Sequence, residues 1–91
     1  MNSEFKVLVD ILPNPRDSTV YRVAVVPIGY AGQTVQAVVC GSLNQFVIRA
    51  RELGLRPDEI EAVKEAAAGF YEFRVHLTPK QVVRFSTAKP K

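Results

Sequence analysis

The chain reads as an α+β protein. The expected architecture is a four-stranded antiparallel sheet, made of a three-strand meander, an αα-corner and a fourth strand, with two main helices on one face. Three observations predict it. Four segments alternate apolar and polar residues at period two or are dense in β-branched residues; two consecutive segments have helical spacing; and the junctions between them carry capping and turn residues.

In the first segment, residues 4–12 ("EFKVLVDIL"), Phe5, Val7, Val9 and Ile11 fall on one side of a strand and Lys6, Leu8, Asp10 and Leu12 on the other. "PNPRDS" is a loop, its prolines and Asn, Asp and Ser disfavouring either ladder or helix. Residues 19–28 ("TVYRVAVVPI") form a second strand, with Pro27 near its end. "GYAGQ" turns the chain and "TVQAVVC" returns as a third strand. Ser42 with Gln45 offers a capping box, after which Leu43, Phe46, Val47, Ala50 and Leu53 share one helical face. Gly54 stops that helix, Pro57 opens the next, and Asp58, Glu59 and Glu61 complement its positive end. Ile60, Val63 and Ala67 continue a buried stripe to an expected stop at Gly69. "FYEFRVHL" alternates as a fourth strand, with Tyr71, Phe73, Val75 and Leu77 inward. Segment 79–86 balances strand-forming "VVRF" against a Thr78–Gln81 capping box, and the box with Pro79 favours a short helix. Residues 88–91 read as a flexible basic tail.

Ninety-one residues fit a single domain, 1–91. A hydrophobic content of 47% with 23% charged residues is globular rather than disordered. The net charge of +3 is a mild basic bias, too small to define a nucleic-acid binder. A lone cysteine, Cys40, rules out an internal disulfide framework and suits a reducing compartment. The first apolar run lacks a basic n-region and is interrupted by Asp10, and no window reaches the length of a spanning helix. The expected address is the cytoplasm, without a membrane role.

Ala50, Gly54 and the apolar Leu53, Leu55, Ile60 and Val63 form a small-residue crossing, a tight turn and two facing helices. Over about 20 residues this resembles the helix-turn-helix pattern, which would imply a DNA-reading second helix. The chemistry of that helix points elsewhere. A helix that reads bases presents Arg, Lys, Asn, Gln or Ser, whereas this one offers Asp58, Glu59, Glu61 and Glu65 against Lys64. Phosphates would repel it. The expectation is a structural corner.

From Arg74 onward the chain carries Arg74, Lys80, Arg84, Lys89 and Lys91 and no acid, which makes these the candidate contacts of a nucleic-acid-binding alternative. Tyr30, Tyr71 and Arg22 are stacking candidates without the spacing of an RNA-binding signature. Cys40 sits where a strand gives way to a helix, a position that can activate a thiol. Yet Phe46 stands where a Cys-x5-Arg phosphate loop needs arginine, and His76 is the single candidate base. A small Cys-dependent enzyme therefore ranks third. No metal-ligand cluster or cofactor loop is visible, and "GYAG" lacks the following helix a phosphate loop requires. The chain reads as non-catalytic.

No charged residue occurs from Val23 to Ile48. Two helices cover one side of a sheet, so an apolar second side needs its own cover: the segment with Val82, Val83 and Phe85, a second copy, or another protein. The expected role is a protein-interaction or regulatory module, of adaptor or inhibitor type, acting through an uncharged sheet face. Leu8, Leu12, Tyr21, Val23 and Val25 are the expected interaction residues, and a homodimer through that face is the expected assembly.

Overall fold

The computed structural model describes residues 3–13, 19–28, 36–66 and 68–87. The elements run β1 (Ser3–Leu12), β2 (Val20–Pro27), β3 (Gln36–Cys40), α1 (Leu43–Glu52), α2 (Pro57–Glu65), β4 (Gly69–Leu77) and α3 (Pro79–Thr87). The four strands form one antiparallel sheet in the order β3-β2-β1-β4, so the fourth strand closes onto the first after the helical excursion. This is the α+β arrangement expected from the pattern. The "GYAGQ" turn, residues 14–18 of the first loop, Thr34 and Val35 at the expected start of the third strand, Ala67 and the 88–91 tail lie outside the described residues.

Register fixes the core. Val7 stands opposite Val25, Val9 opposite Val23 and Ile11 opposite Tyr21, while Tyr21 also stands opposite Cys40. Because side chains alternate strictly across a strand, these residues share a face. That face is covered by helices: Val7, Val9, Val23 and Val25 join Val38, Cys40, Phe46, Ala50, Leu53, Ile60, Val63 and Leu77 in one buried cluster. Tyr21 stacks on Phe46 with ring centroids 5.2 Å apart and locks β2 to α1.

Local chemistry sets each helix end. Gln45 N–H donates to Ser42 Oγ at 3.2 Å, while the Gln45 amide oxygen accepts from Gly41 N–H rather than from Ser42. The expected box is therefore displaced by one residue on its return arm. At the other end of α1, Gly54 N–H donates to the Arg51 carbonyl and Leu55 N–H to the Ala50 carbonyl, the paired bonds of a Schellman stop. Gly54 takes φ +80 there. Leu55, one residue on, is buried with Ala50 and anchors the turn in the core. Glu59 accepts from Arg56 N–H at 2.8 Å and opens α2.

Two expectations about the later elements meet the structure differently. The Thr78–Gln81 box forms in both directions. Thr78 N–H donates to Gln81 Oε1 at 2.8 Å, Gln81 N–H donates to Thr78 Oγ1 at 3.2 Å, and α3 follows as a helix. Gln81 Nε2 also donates to the Glu52 carbonyl, which ties α3 to the C-terminal end of α1, where carbonyls lack intrahelical partners. The expected stop of α2 at Gly69 is corrected. The helix ends at Glu65, where Ala66 adopts extended backbone and its N–H still bonds Val63. Gly69 instead starts β4 at φ +136, a conformation glycine alone adopts easily.

α3 does not cross to the second side of the sheet. Phe85 is buried in the common core and Val82 packs against it, so the C-terminal helix lies with α1 and α2. No buried charged or polar side chain is present among the described residues, and the core is purely apolar.

Gly54→Ala tests the α1 stop. Nothing lies within 4 Å of the added methyl, so only backbone strain opposes it. The expected loss is about 1–2 kcal/mol, read from urea unfolding; an unchanged midpoint would contradict the assigned turn.

Candidate functional site

Cys40 and His76 do not meet. Cys40 ends β3 on the helix side and is buried, whereas His76 is exposed on β4, which lies at the opposite edge of the sheet. Three inter-strand steps, roughly 14 Å, separate them across the sheet; the register sets Cys40 in line with Gly69, seven residues along β4 from His76, and the sheet itself lies between the side chains. Burial pushes the Cys40 thiol up from its ordinary range, and the Arg49 charge offsets this only in part. A raised thiol is a poor nucleophile at neutral pH. Among the described residues no group of three His, Cys, Asp or Glu side chains converges on a point that could hold a metal ion.

The basic residues are likewise dispersed. Arg74 lies on β4 with its guanidinium 3.9 Å from Glu4, while Lys80 and Arg84 belong to α3. Lys89 and Lys91 lie outside the described residues, as does Tyr30. Tyr71 sits on the helix side, stacked on Phe73 at 6.1 Å, and so does not share a surface with Arg22. On the αα-corner, α2 exposes Asp58, Glu61 and Glu65 or leaves them only partly covered. Lys64, its one cation, is 3.4 Å from Glu61.

The side of the sheet away from the helices is a different matter. It carries the even-numbered residues of β1, β2 and β4, with Ala37 and Val39 from β3. Here the expected interaction set requires correction. Tyr21, Val23 and Val25 belong to the helix side and are at most 6% exposed. They cannot present a surface to a partner. Arg22, exposed between Tyr21 and Val23, marks the even-numbered side of β2 as the outer one, and the register with β1 agrees. Leu8 and Leu12 do lie on the open side, with Leu8 half-buried and Leu12 46% exposed.

The open side is also not uncharged. Among the described residues, the charge-free run 23–48 gives Val23, Val25, Val38, Cys40 and Phe46 to the core and Ala24, Val26, Ala37 and Val39 to the β2–β3 half of this face. The β1–β4 half carries Lys6 beside Glu72 at 4.0 Å and Arg74 beside Glu4. Asp10 stands opposite Arg22 across β1 and β2. Three cations (Lys6, Arg22, Arg74) thus face three anions (Glu4, Asp10, Glu72), and the formal charge cancels. This face holds a shallow, mainly apolar depression of about 240 Å³, lined by Leu8, Ala24, Val26 and Phe70 together with Asp10 and Arg22.

Phe70 and Val39, 58% and 47% exposed, are the largest additions to the expected set. Their placement was available from parity: Phe70 keeps step with Glu72, Arg74 and His76, and Val39 alternates with Val38 and Cys40. A second concavity, on the α1–α2 side, is lined by Leu43, Val47, Ile48, Arg51 and Lys64.

The fold and site together define an α+β chain with one helix-covered and one open sheet face. No family model, no curated protein and no solved structure matches it.

Cys40→Ala should fold, with a loss of about 1 kcal/mol, and a thiol reagent should modify the wild type only as fast as the protein opens. Rapid modification under native conditions would mean an accessible thiolate. Glu61→Lys with Glu65→Lys should strengthen non-specific DNA binding at low salt in a gel shift, because the change removes phosphate repulsion. Binding by the wild type that the double variant loses would instead make α2 a DNA contact.

Proposed function

We propose that this chain is a non-catalytic protein-interaction module, of adaptor or inhibitor type, that holds a protein partner on its open sheet face. One observation carries the reading. Among the described residues, three of the four large hydrophobics most exposed to water, Leu12, Val39 and Phe70, lie on that face, and the fourth is Ile48. Scattered single apolar residues need no explanation, but a set that shares one face, interleaved with charge as Val39, Arg22, Asp10 and Phe70 are along one row, resembles an interaction surface.

The dimensions favour a protein ligand over a small molecule. The depression holds about 240 Å³. That is below the range of typical small-molecule sites, and suits one or two anchoring side chains. Charge favours protein over nucleic acid. A face on which three cations are cancelled by three anions releases few counterions from a phosphate backbone and gains little affinity from it. Opposed charges in rows do suit a protein partner, since they fix register and reject wrong partners more than they add affinity. The reducing cytoplasm, which the lone Cys40 suits, is the setting we assign.

A photo-cross-linking residue placed at Val39 or Phe70 tests this in extract from the native host. Both positions should join one protein, and Glu61 on α2 should not. Leu8→Asp, in the floor of the depression, should lower the yield about tenfold, the scale of a lost anchor, with circular dichroism unchanged. Cross-links to nucleic acid, or equal cross-linking from Glu61, would overturn the reading.

A further inference from the structure

Strand β4 pairs with β1 along one side, and among the described residues no strand occupies its other side. Its first half is thinly covered. Gly69, Phe70 and Glu72 are exposed, and Tyr71 and Phe73 are only half-buried although they point to the helix side. Val75 and Leu77, further along, are buried. A nine-residue edge bearing three aromatics is a ready template for another strand. What guards it is the polar row on the open side: the charges of Glu72 and Arg74, with His76 beyond them.

That charge is self-complementary. We propose that two copies of the chain pair antiparallel through β4 about a two-fold axis at Phe73, joining their sheets into one of twice the width. In this register Glu72 lies opposite the partner's Arg74, and Arg74 opposite the partner's Glu72. Tyr71 meets the partner's Val75, Phe70 meets the partner's His76, and every residue of Gly69–Leu77 has an opposite number. Moving the centre one residue in either direction sets Glu72 against the partner's Glu72 or Arg74 against the partner's Arg74. Opposite charges directly across a strand pair stabilise it and like charges destabilise it, so these two residues favour this register over its two neighbours, and it alone pairs the whole of Gly69–Leu77. Phe73 then faces the partner's Phe73 on the helix side and extends the Tyr71–Phe73 stack. Beside Arg74–His76 an open cleft of about 400 Å³, walled by Gly54, Arg56 and Glu59, lies on the side to which this register brings the partner's Tyr71. Phe70, the most exposed large hydrophobic among the described residues, gains a neighbour on the other side in the partner's His76.

Edge pairing shares Phe70 with the open-face reading and otherwise uses different residues. It leaves Leu8 and Val39 free, and a two-fold axis through the paired edges puts both open faces on the same side, so the assembly offers two binding faces to one partner.

Sedimentation equilibrium of the full chain measures the association. The wild type should be dimeric at about 100 μM, an affinity modest for a paired edge. Glu72→Arg and Arg74→Glu each create two like-charge contacts and should weaken dimerisation about tenfold or more; the double exchange should return it to within about threefold of wild type. As a readout that leaves the charges untouched, Phe73→Cys in a Cys40→Ala background should be joined across the axis by a short thiol cross-linker, and Phe70→Cys should not. A monomeric wild type, single variants that dimerise as wild type, a double exchange without recovery, or no cross-link at Phe73→Cys would each overturn the proposal. Leu8→Asp should leave the dimer intact, so failure of the open-face reading registers separately.

Discussion

The pairing of β1 with β2 is the constraint on which the rest of the structure depends. β1 has a neighbour on each side, and its Val7 and Val9 are fully buried. Once Val7 is set against Val25 and Val9 against Val23, every strand residue has an assigned face. The helices then follow the face that holds the larger side chains. Phe46 of α1 reaches Tyr21, Leu55 fixes the turn after α1, and Phe85 brings α3 to the same side. A slip of one residue would exchange Val23 and Val25 for Arg22 and Ala24, burying an unpaired guanidinium under α1. Arg22 is thus as much a register marker as a surface residue.

This explains what was legible in the sequence and what was not. β1 and β4 carry charges on one side, so their inward residues could be read from alternation alone. The ends of α1 and α3 were legible because Ser42, Gly54, Thr78 and Gln81 act through bonds spanning a few residues. β2 was different. Tyr21, Val23 and Val25 compete with Ala24 and Val26, and the one local sign that separates the two faces is Arg22, which places Ala24 and Val26 outside; the apolar density around it hides that sign. The end of α2 was also hidden. Gly69 was a reasonable stop by composition, but the helix terminates at Glu65 and the glycine serves the strand entry instead.

The charge-free run from Val23 to Ile48 acquires a plain physical meaning in this light. Much of it is the core wall of β2, β3 and α1, where any charge would need burial without a partner. Part of the remainder surfaces as small and branched residues, Ala24, Val26, Ala37 and Val39, on the open face. Large apolar side chains are concentrated in the core, and the open side keeps Leu8, Leu12 and Phe70 spaced among charges. An apolar patch broken in this way resists non-specific association while retaining anchors for a matched surface.

The two exposed features of the sheet therefore differ in kind. The open face offers side chains, and selectivity there comes from shape and from the rows of opposed charge. The β4 edge offers backbone groups, which any strand could accept, so its selectivity has to come from the flanking residues. Glu72 and Arg74 supply it because they alternate about Phe73 with opposite sign. The same two residues are tied within the chain to Lys6 and Glu4 at 4.0 and 3.9 Å. At those distances and exposures the intrachain pairs contribute little, about 0–1 kcal/mol each. They orient the charges without neutralising the edge, and a facing strand with the inverse pattern gains contacts the isolated chain does not already satisfy.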